Sequence, residues 1–389
     1  MLPPAEKGHE KEQEQGMKIG LIDVTVTMSF GGIQTAVWEL AKTLADLGHE
    51  IHVFGGTGDI RPELGKRCIG VHTFPFIPRD KAPDLGRRFQ RIVERASFAR
   101  HARKKVIELD LDWIVLTKPF DFFWPRLLTA DSKTKFCYMS GGTSFFRGDR
   151  YLSKKIDVWV ACSQFNAWQI QHHFKHFPQV IFNGVDIEKF SPRESAVRQT
   201  LNISPNTFLL VFAGRLVGLK GLHIAIKALQ ELKDAPVSLL IMGGGEEEQR
   251  LKSLAAESGV GHKVVFHPAV SHDVLPDYYA AADAGIFPSI ADEAFGISIA
   301  EAMACARPVI ASYIGGIPEV VGNEGTAGIL VTPGDPQAIT AAVEQLMALP
   351  DRGRGKGENA RKRIQTLYTW HHSATRLLAA LYHDKNRLS

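Results

Sequence analysis

The chain has 389 residues, with 46 Lys and Arg against 42 Asp and Glu, a formal net charge of +4. At ~150 residues per domain this length implies two or three domains, and a hydrophobic content of 44% with 23% charged residues excludes disorder or a fibrous repeat for most of the chain. So small a positive excess over this length argues against nucleic acid as the main partner.

The first sixteen residues are polar and lack an apolar core, so they read as a disordered leader or cloning remnant rather than a signal peptide, with the fold starting near Met17. No run of about 18 uncharged apolar residues occurs, which excludes a spanning helix. Cys68, Cys137, Cys162 and Cys305 are far apart with no C-x-x-C pair. This argues against a metal site and a disulfide framework, and predicts buried thiols in a reducing, cytoplasmic compartment.

From Met17 the pattern is strand, turn, helix, strand. KIGLIDV is an apolar run of buried-strand type, followed by Ser29-Phe30-Gly31-Gly32. In IQTAVWELAKTLADLG the residues Ile33, Val37, Leu40, Leu44 and Leu47 recur at helical spacing, with Gly48 placed to end the helix. Strands follow in HEIHVFGG and CIGVHTFPF, then a basic helix from about Gly86 to Glu108, then strands in DWIVL, FCYMSGG and VWVACS. QVIFNGVD and EKFSP carry turn residues and mark a boundary. The alternation then restarts with TFLLVFAGR, a helix from Gly221, VSLLIMGGG, the helix EEEQRLKSLAAESG, VVFHPAV, AGIFPS, PVIAS and AGILVTPG. The prediction is an α/β protein with two parallel sheets, each covered by helices, as two Rossmann-like domains facing across a cleft. Their extents are 17–183 and 184–368, with a C-terminal helix over 369–389 and the leader over 1–16.

The densest segment is Pro288 to Met303. A strand ends, a polar loop holds Glu293, and a helix opens at Phe295, Gly296 and Ile297 with Glu301 in its second turn. Free N–H groups and dipole charge at such a helix start suit a phosphate or a sugar oxygen, and two carboxylates could take hydroxyls of an extended ligand. The plainer alternative makes Glu301 an ordinary helix residue and Glu293 a favourable charge at a helix start. Earlier, Gly214, Arg215, Lys220 and Gly221 lie on a strand-to-helix loop. A guanidinium fork and an ammonium five residues apart suit a diphosphate, although paired surface cations are often only solvated. The loop is not a Walker A sequence. Gly31 and Gly32 would bring a helix N-terminus towards the same phosphates, or form a plain tight turn. Gly243-Gly244-Gly245 reads as a strand-to-helix turn able to approach a nucleotide.

In order, these residues resemble retaining glycosyltransferase family 4, of the GT-B fold, over about residues 17 to 385. The resemblance is carried by Gly31-Gly32 with Gly48-His49-Glu50, Ser163, Asn183-Gly184-Val185-Asp186 with Phe190, and Gly214-Arg215 with Lys220-Gly221. It continues through Glu293 and Glu301 within EAFGISIAEAMA, Pro308 to Ser312, Gly315-Gly316-Ile317-Pro318-Glu319, and Trp370. It implies an acceptor-binding N-terminal domain, a C-terminal domain binding a nucleotide-sugar donor, and a last helix crossing back to the first domain. By the same resemblance Arg215 and Lys220 hold the diphosphate, Glu301 takes the ribose diol, and Glu293 with the backbone of Phe295 to Ile297 orients the sugar. No cofactor or metal is implied. Asp110-Leu111-Asp112 is read as a helix-to-strand connection, not a metal-binding D-x-D. Two positions depart from the pattern. Ser140-Gly141-Gly142-Thr143 stands where family members often carry His, and Ala306-Arg307-Pro308 replaces a small-Gly-x-Pro turn. A GT-B-fold nucleotide-sugar epimerase and a silent nucleotide-sugar-binding homologue are the other readings.

The helix over 86–108 carries Arg87, Arg88, Arg91, Arg95, Arg100, Arg103, Lys104 and Lys105, with Phe89, Val93, Ala96 and Ala99 as its apolar stripe. It reads either as a solvated outer helix whose stripe packs on the sheet, or as a contact with anionic lipid at a membrane's inner face or with an anionic acceptor. Pro119 to Trp124 would add apolar area.

Overall fold

The computed structural model describes residues 16–385 except Phe30, Thr143, Ser144 and Arg147. The leader before Gly16, and the readings placed on Phe30 and Thr143, lie outside the described residues. Seven parallel strands form the first sheet: β1 (Lys18–Ile22), β2 (Glu50–Gly56), β3 (Ile69–Phe74), β4 (Trp113–Leu116), β5 (Lys135–Ser140), β6 (Val158–Ala161) and β7 (Gln179–Val180), in the order β3-β2-β1-β4-β5-β6-β7. Between them run α1 (Gly32–Asp46), α2 (Arg87–Glu108), α3 (Asp149–Leu152) and α4 (Gln164–Phe174). The second sheet holds β8 (Phe208–Ala213), β9 (Val237–Met242), β10 (Val264–His267), β11 (Ala284–Phe287), β12 (Val309–Ser312) and β13 (Gly328–Val331), in the order β10-β9-β8-β11-β12-β13. Its helices are α5 (Val197–Thr200), α6 (Leu222–Glu231), α7 (Glu248–Glu257), α8 (Leu275–Ala281), α9 (Ile297–Ala304), α10 (Ile317–Val321), α11 (Pro336–Ala348) and α12 (Arg354–Leu367), and α13 (Trp370–Lys385) is the last element among the described residues.

Both orders reverse direction beside their first strand, between β1 and β4 and between β8 and β11. That crevice, at the strands' carboxyl ends, is where open α/β sheets take ligands. The alternating pleat sorts the first sheet's residues into two cores. Ile19, Leu21, Trp113, Val115, Cys137, Val158 and Val160 pack on the α1 side, together with Ala374, Leu377 and Leu381 of α13. Ile22, Ile114, Leu116, Phe136, Tyr138 and Trp159 pack on the α2 side with Phe98, Phe122 and Trp124.

Three expectations are corrected. Along α2 the buried residues are Glu94, Arg95, Phe98, Ala99, Ala102 and Val106, while Phe89 and Ala96 are exposed and Val93 only half-buried. The buried stripe is displaced around the helix to Phe98, Ala99, Ala102 and Val106, keeping only Ala99 of the expected set, and it also carries the buried Glu94 and Arg95, the latter paired with Asp121. The 119–124 segment does not enlarge an outer surface, since Pro119, Asp121, Phe122 and Trp124 are buried in the core. Cys68 is exposed, unlike the other three cysteines. Asp110-Leu111-Asp112 does connect α2 to β4, with Asp112 accepting from Lys18 N at 2.8 Å.

Candidate active site

The loop after β8 and the loop after β11 meet at the second crevice. Gly221 stands at φ +68°, and a Cβ there would overlap the carbonyl oxygen of Pro288, so only glycine lets the two loops touch. Lys220 is thereby brought to Glu293, with which it forms an ion pair, and Ser289 Oγ donates to Glu293 Oε1 at 3.2 Å. Arg215 is exposed on the same loop. Gly243 and Gly245 pack so closely on the backbone of Gly214 and Leu216 that a Cβ on either would overlap it, so this run shapes the loop of Arg215 and Lys220 from behind.

Helix α9 starts at Ile297 with Gly296 as its N-cap, and no side chain caps it. Gly296 adopts φ +97°. Across the cleft α1 starts at Gly32, its N-cap Gly31 again offering no side-chain hydrogen bond. A Cβ on Gly32 would lie 3.6 Å from Ile297 Cδ1, so the two helix starts adjoin. Glu301 is buried, 5% exposed, and accepts a 2.7 Å hydrogen bond from His272 Nε2. His272 in turn lies beside Phe190, with ring centroids 4.8 Å apart.

The geometry thus brings Gly214, Arg215, Lys220, Glu293, Phe295, Gly296 and Ile297 to one crevice with Gly31 and Gly32 opposite. It gives each carboxylate its own cationic or imidazole partner rather than leaving the two as a bare pair. His272 was missed, since no periodicity or motif marks it; its neighbourhood to Glu301 arises only when the loop before α8 folds over α9. Glu319 was known only as part of a motif. Its carboxylate accepts from Gln164 N at 2.7 Å and Phe165 N at 2.8 Å, capping α4 of the other domain beside Ser163. After β5, buried Ser140 donates to Gly142 O at 3.3 Å, and Asn166 Nδ2 donates to the same carbonyl at 2.8 Å. Among the described residues no cluster of His, Cys, Asp and Glu could hold a metal ion, and no helix is long and apolar enough to cross a membrane.

Residues 30–189 match the family model for glycosyltransferase family 4, and 194–363 match that for glycosyl transferases group 1. A D-inositol 3-phosphate glycosyltransferase of Xylanimonas cellulosilytica is 33% identical over 366 residues, covering 86% of this chain and 87% of that protein. The chain spans about half the length of other curated relatives it matches, 50% of one and 54% of another. Among solved structures, sucrose-phosphate synthase (tll1590) from Thermosynechococcus elongatus superposes with a TM-score of 0.82 at 23% identity, over 96% of this chain and 100% of that one. Anabaena Alr3699/HepE, solved in complex with UDP and glucose, gives 0.75 at 22% identity, over 94% and 100%. At these identities the likeness is one of fold. With its two parallel-sheet domains in the GT-B arrangement, the chain belongs to glycosyltransferase family 4.

Proposed function

We propose that this enzyme moves a sugar from a nucleotide diphosphosugar, a UDP- or GDP-sugar, to a glycan, lipid-linked or small-molecule acceptor, with retention of configuration and without a metal. The observation that carries this reading is the meeting of two helix starts, α1 and α9, neither capped by a side chain. Two positive helix ends brought together repel, and a diphosphate between them turns that repulsion into attraction. Arg215 on the adjoining loop adds a fork for the phosphate oxygens. Lys220, on leaving Glu293, adds a second cation, and together they stabilise the departing diphosphate. The bond from the anomeric carbon to the β-phosphate oxygen breaks, the acceptor oxygen bonds the same face of that carbon, and the acceptor's hydroxyl proton leaves with the diphosphate. Glu293 and the backbone at Phe295, Gly296 and Ile297 orient the sugar, and Glu301, fixed by His272, takes the ribose diol. UDP is the first nucleotide to test, because a structure of the same fold was solved in complex with UDP.

Ser140 in place of the family's histidine favours one second reading, a nucleotide-sugar binder without turnover. Thermal unfolding with UDP, GDP, ADP and TDP, each with EDTA, separates them. A nucleotide at 100 times its Kd stabilises by about 2.7 kcal/mol. The expected result is a shift with one nucleotide, abolished in Arg215→Ala, and sugar transfer by the wild type. A shift without turnover of any donor supports the silent reading, and donor conversion without acceptor makes the protein an epimerase. No shift with any nucleotide overturns the donor site.

A further inference from the structure

We propose that the cavity between the β6–β7 edge of the first sheet and the last turns of α13 is a second saccharide site, holding one neutral sugar ring among Asp157, Trp159, His176, Phe177, Gln179 and His383. This goes beyond the donor reading and does not depend on it. The cavity measures about 240 Å³. Asp157 directly precedes β6 and Gln179 opens β7, so the cavity lies at the amino ends of these strands. Gly31 and Gly32 follow the carboxyl end of β1 in the same parallel sheet, so the cleft is at the opposite end.

The local sequence supplies both apolar rings and polar groups. Phe177 precedes Pro178, which restricts it to extended backbone as the chain enters β7. Its ring is 47% exposed, and the ring of Trp168, 60% exposed, stands edge-on to it at 5.2 Å. Trp159 of β6 adds a further ring, with His176 tilted beside it at 5.3 Å. Asp157 Oδ2 accepts from Phe136 N at 2.7 Å, which fixes the carboxylate in place. Gln179 and His383 are exposed. Partial burial draws the pKa of His176 below 6.5, so at neutral pH its imidazole is uncharged and offers one donor and one acceptor.

These groups select the class of ligand. An apolar molecule would desolvate four polar side chains without pairing them. A phosphate or carboxylate brings only acceptors and would meet the Asp157 carboxylate. Among the described residues no His, Cys, Asp and Glu are grouped to hold a metal ion, so Asp157 and the two imidazoles are not a metal site. A pyranose matches both halves of the lining. Its C–H face suits the negative face of an aromatic ring, and its hydroxyls both donate and accept. The volume is below the ~300 Å³ at which pockets for drug-sized ligands begin, so the site takes one ring and leaves the rest of any glycan chain outside.

The test titrates the full chain, with and without UDP, with the methyl glycosides of glucose, galactose and mannose, following the indole N–H signals of Trp159 and Trp168 by NMR. At least one glycoside should shift the Trp168 signal with a Kd of about a millimolar, whether or not UDP is present. Binding should weaken at least about tenfold in Phe177→Ala and about fivefold in Gln179→Ala, and persist in Phe177→Tyr, which keeps the ring. Both positions are exposed, so the variants should unfold at the wild-type temperature. Failure of all three glycosides overturns the site, as does binding that is unchanged in both Phe177→Ala and Gln179→Ala. Inorganic phosphate or uridine shifting the same signals at lower concentration than any glycoside overturns the assignment to a sugar. Glycoside binding that UDP abolishes belongs to the cleft and overturns the second site. A wild type that ignores UDP but binds a glycoside through Phe177 supports this site and strikes only the donor reading.

Discussion

Arg215 and Lys220 differ in what holds them before substrate arrives. Arg215 is exposed, while Lys220 is engaged by Glu293, which is also held by Ser289. Both cations should matter most when charge develops on the leaving diphosphate, so Arg215→Ala and Lys220→Ala should each lower kcat/KM by roughly 10²-fold or more in steady-state assays. Wild-type kinetics in both variants would remove the clamp from the mechanism. Away from the cleft, His72 lies 3.0 Å from His52 Nδ1 and stacks on Phe54. Burial, then the neighbouring His52 and Lys105, draws its pKa from 6.5 to about 4. Between those values the unfolded chain binds more protons than the folded one, so stability falls as the pH falls through that window. His72→Gln should flatten this acid-side loss in melting curves recorded from about pH 7 to about pH 4. Equal slopes in the two proteins would show that His72 is not its source.

At the scale of elements, α2 shows how a helix can carry two faces with different tasks. Its inner face reaches the sheet through Phe98, Ala99, Ala102 and Val106 and places Arg95 on Asp121. Its outer face, with the residue leading into it, exposes Leu85 (71%), Phe89 (37%) and Ile92 (44%) beside Arg87, Arg100, Arg103 and Lys104. A face of this kind is either solvated or meets an anionic surface, and vesicle sedimentation at low salt separates the two: recovery with anionic but not neutral vesicles supports membrane contact, and equal recovery from both supports the solvated face. The displaced stripe also shows where sequence periodicity failed. Phe89, Val93 and Ala96 are apolar and helically spaced, but a second apolar set on the same helix, Phe98, Ala99, Ala102 and Val106, is the one the sheet covers, and local spacing does not rank the two.

Across the whole molecule, the domains are joined by polar contacts more than by a shared apolar core. Glu319 caps α4 from the opposite domain, Cys162 Sγ approaches Ala294 O at 3.6 Å, and Gln169 Nε2 donates to Asp292 Oδ2 at 3.4 Å. Helix α13 meanwhile inserts Ala374, Leu377 and Leu381 into the first domain's core. Removing the Glu319 cap leaves two N–H groups of α4 unpaired and a positive helix end unopposed. Glu319→Ala should cost about 1 kcal/mol in denaturant unfolding, with faster amide exchange at Gln164 and Phe165. Unchanged exchange there would make the contact incidental.

The sequence by itself determined the parallel α/β architecture, because apolar runs alternating with helical periods admit few other solutions. It also marked Gly214, Arg215, Lys220, Glu293, Gly296 and Glu301, since turn chemistry and strand ends are local properties. Only tertiary structure could decide the rest. His272 meets Glu301 across 29 residues, Lys220 meets Glu293 across 73, and Glu319 reaches α4 across more than 150. The charges at Asp23, Arg95, Lys118 and Asp121 lie just after two strands, on a helix and in a turn, which become neighbours only when the sheet order reverses. Such partnerships depend on strand order and helix rotation, which local spacing does not encode.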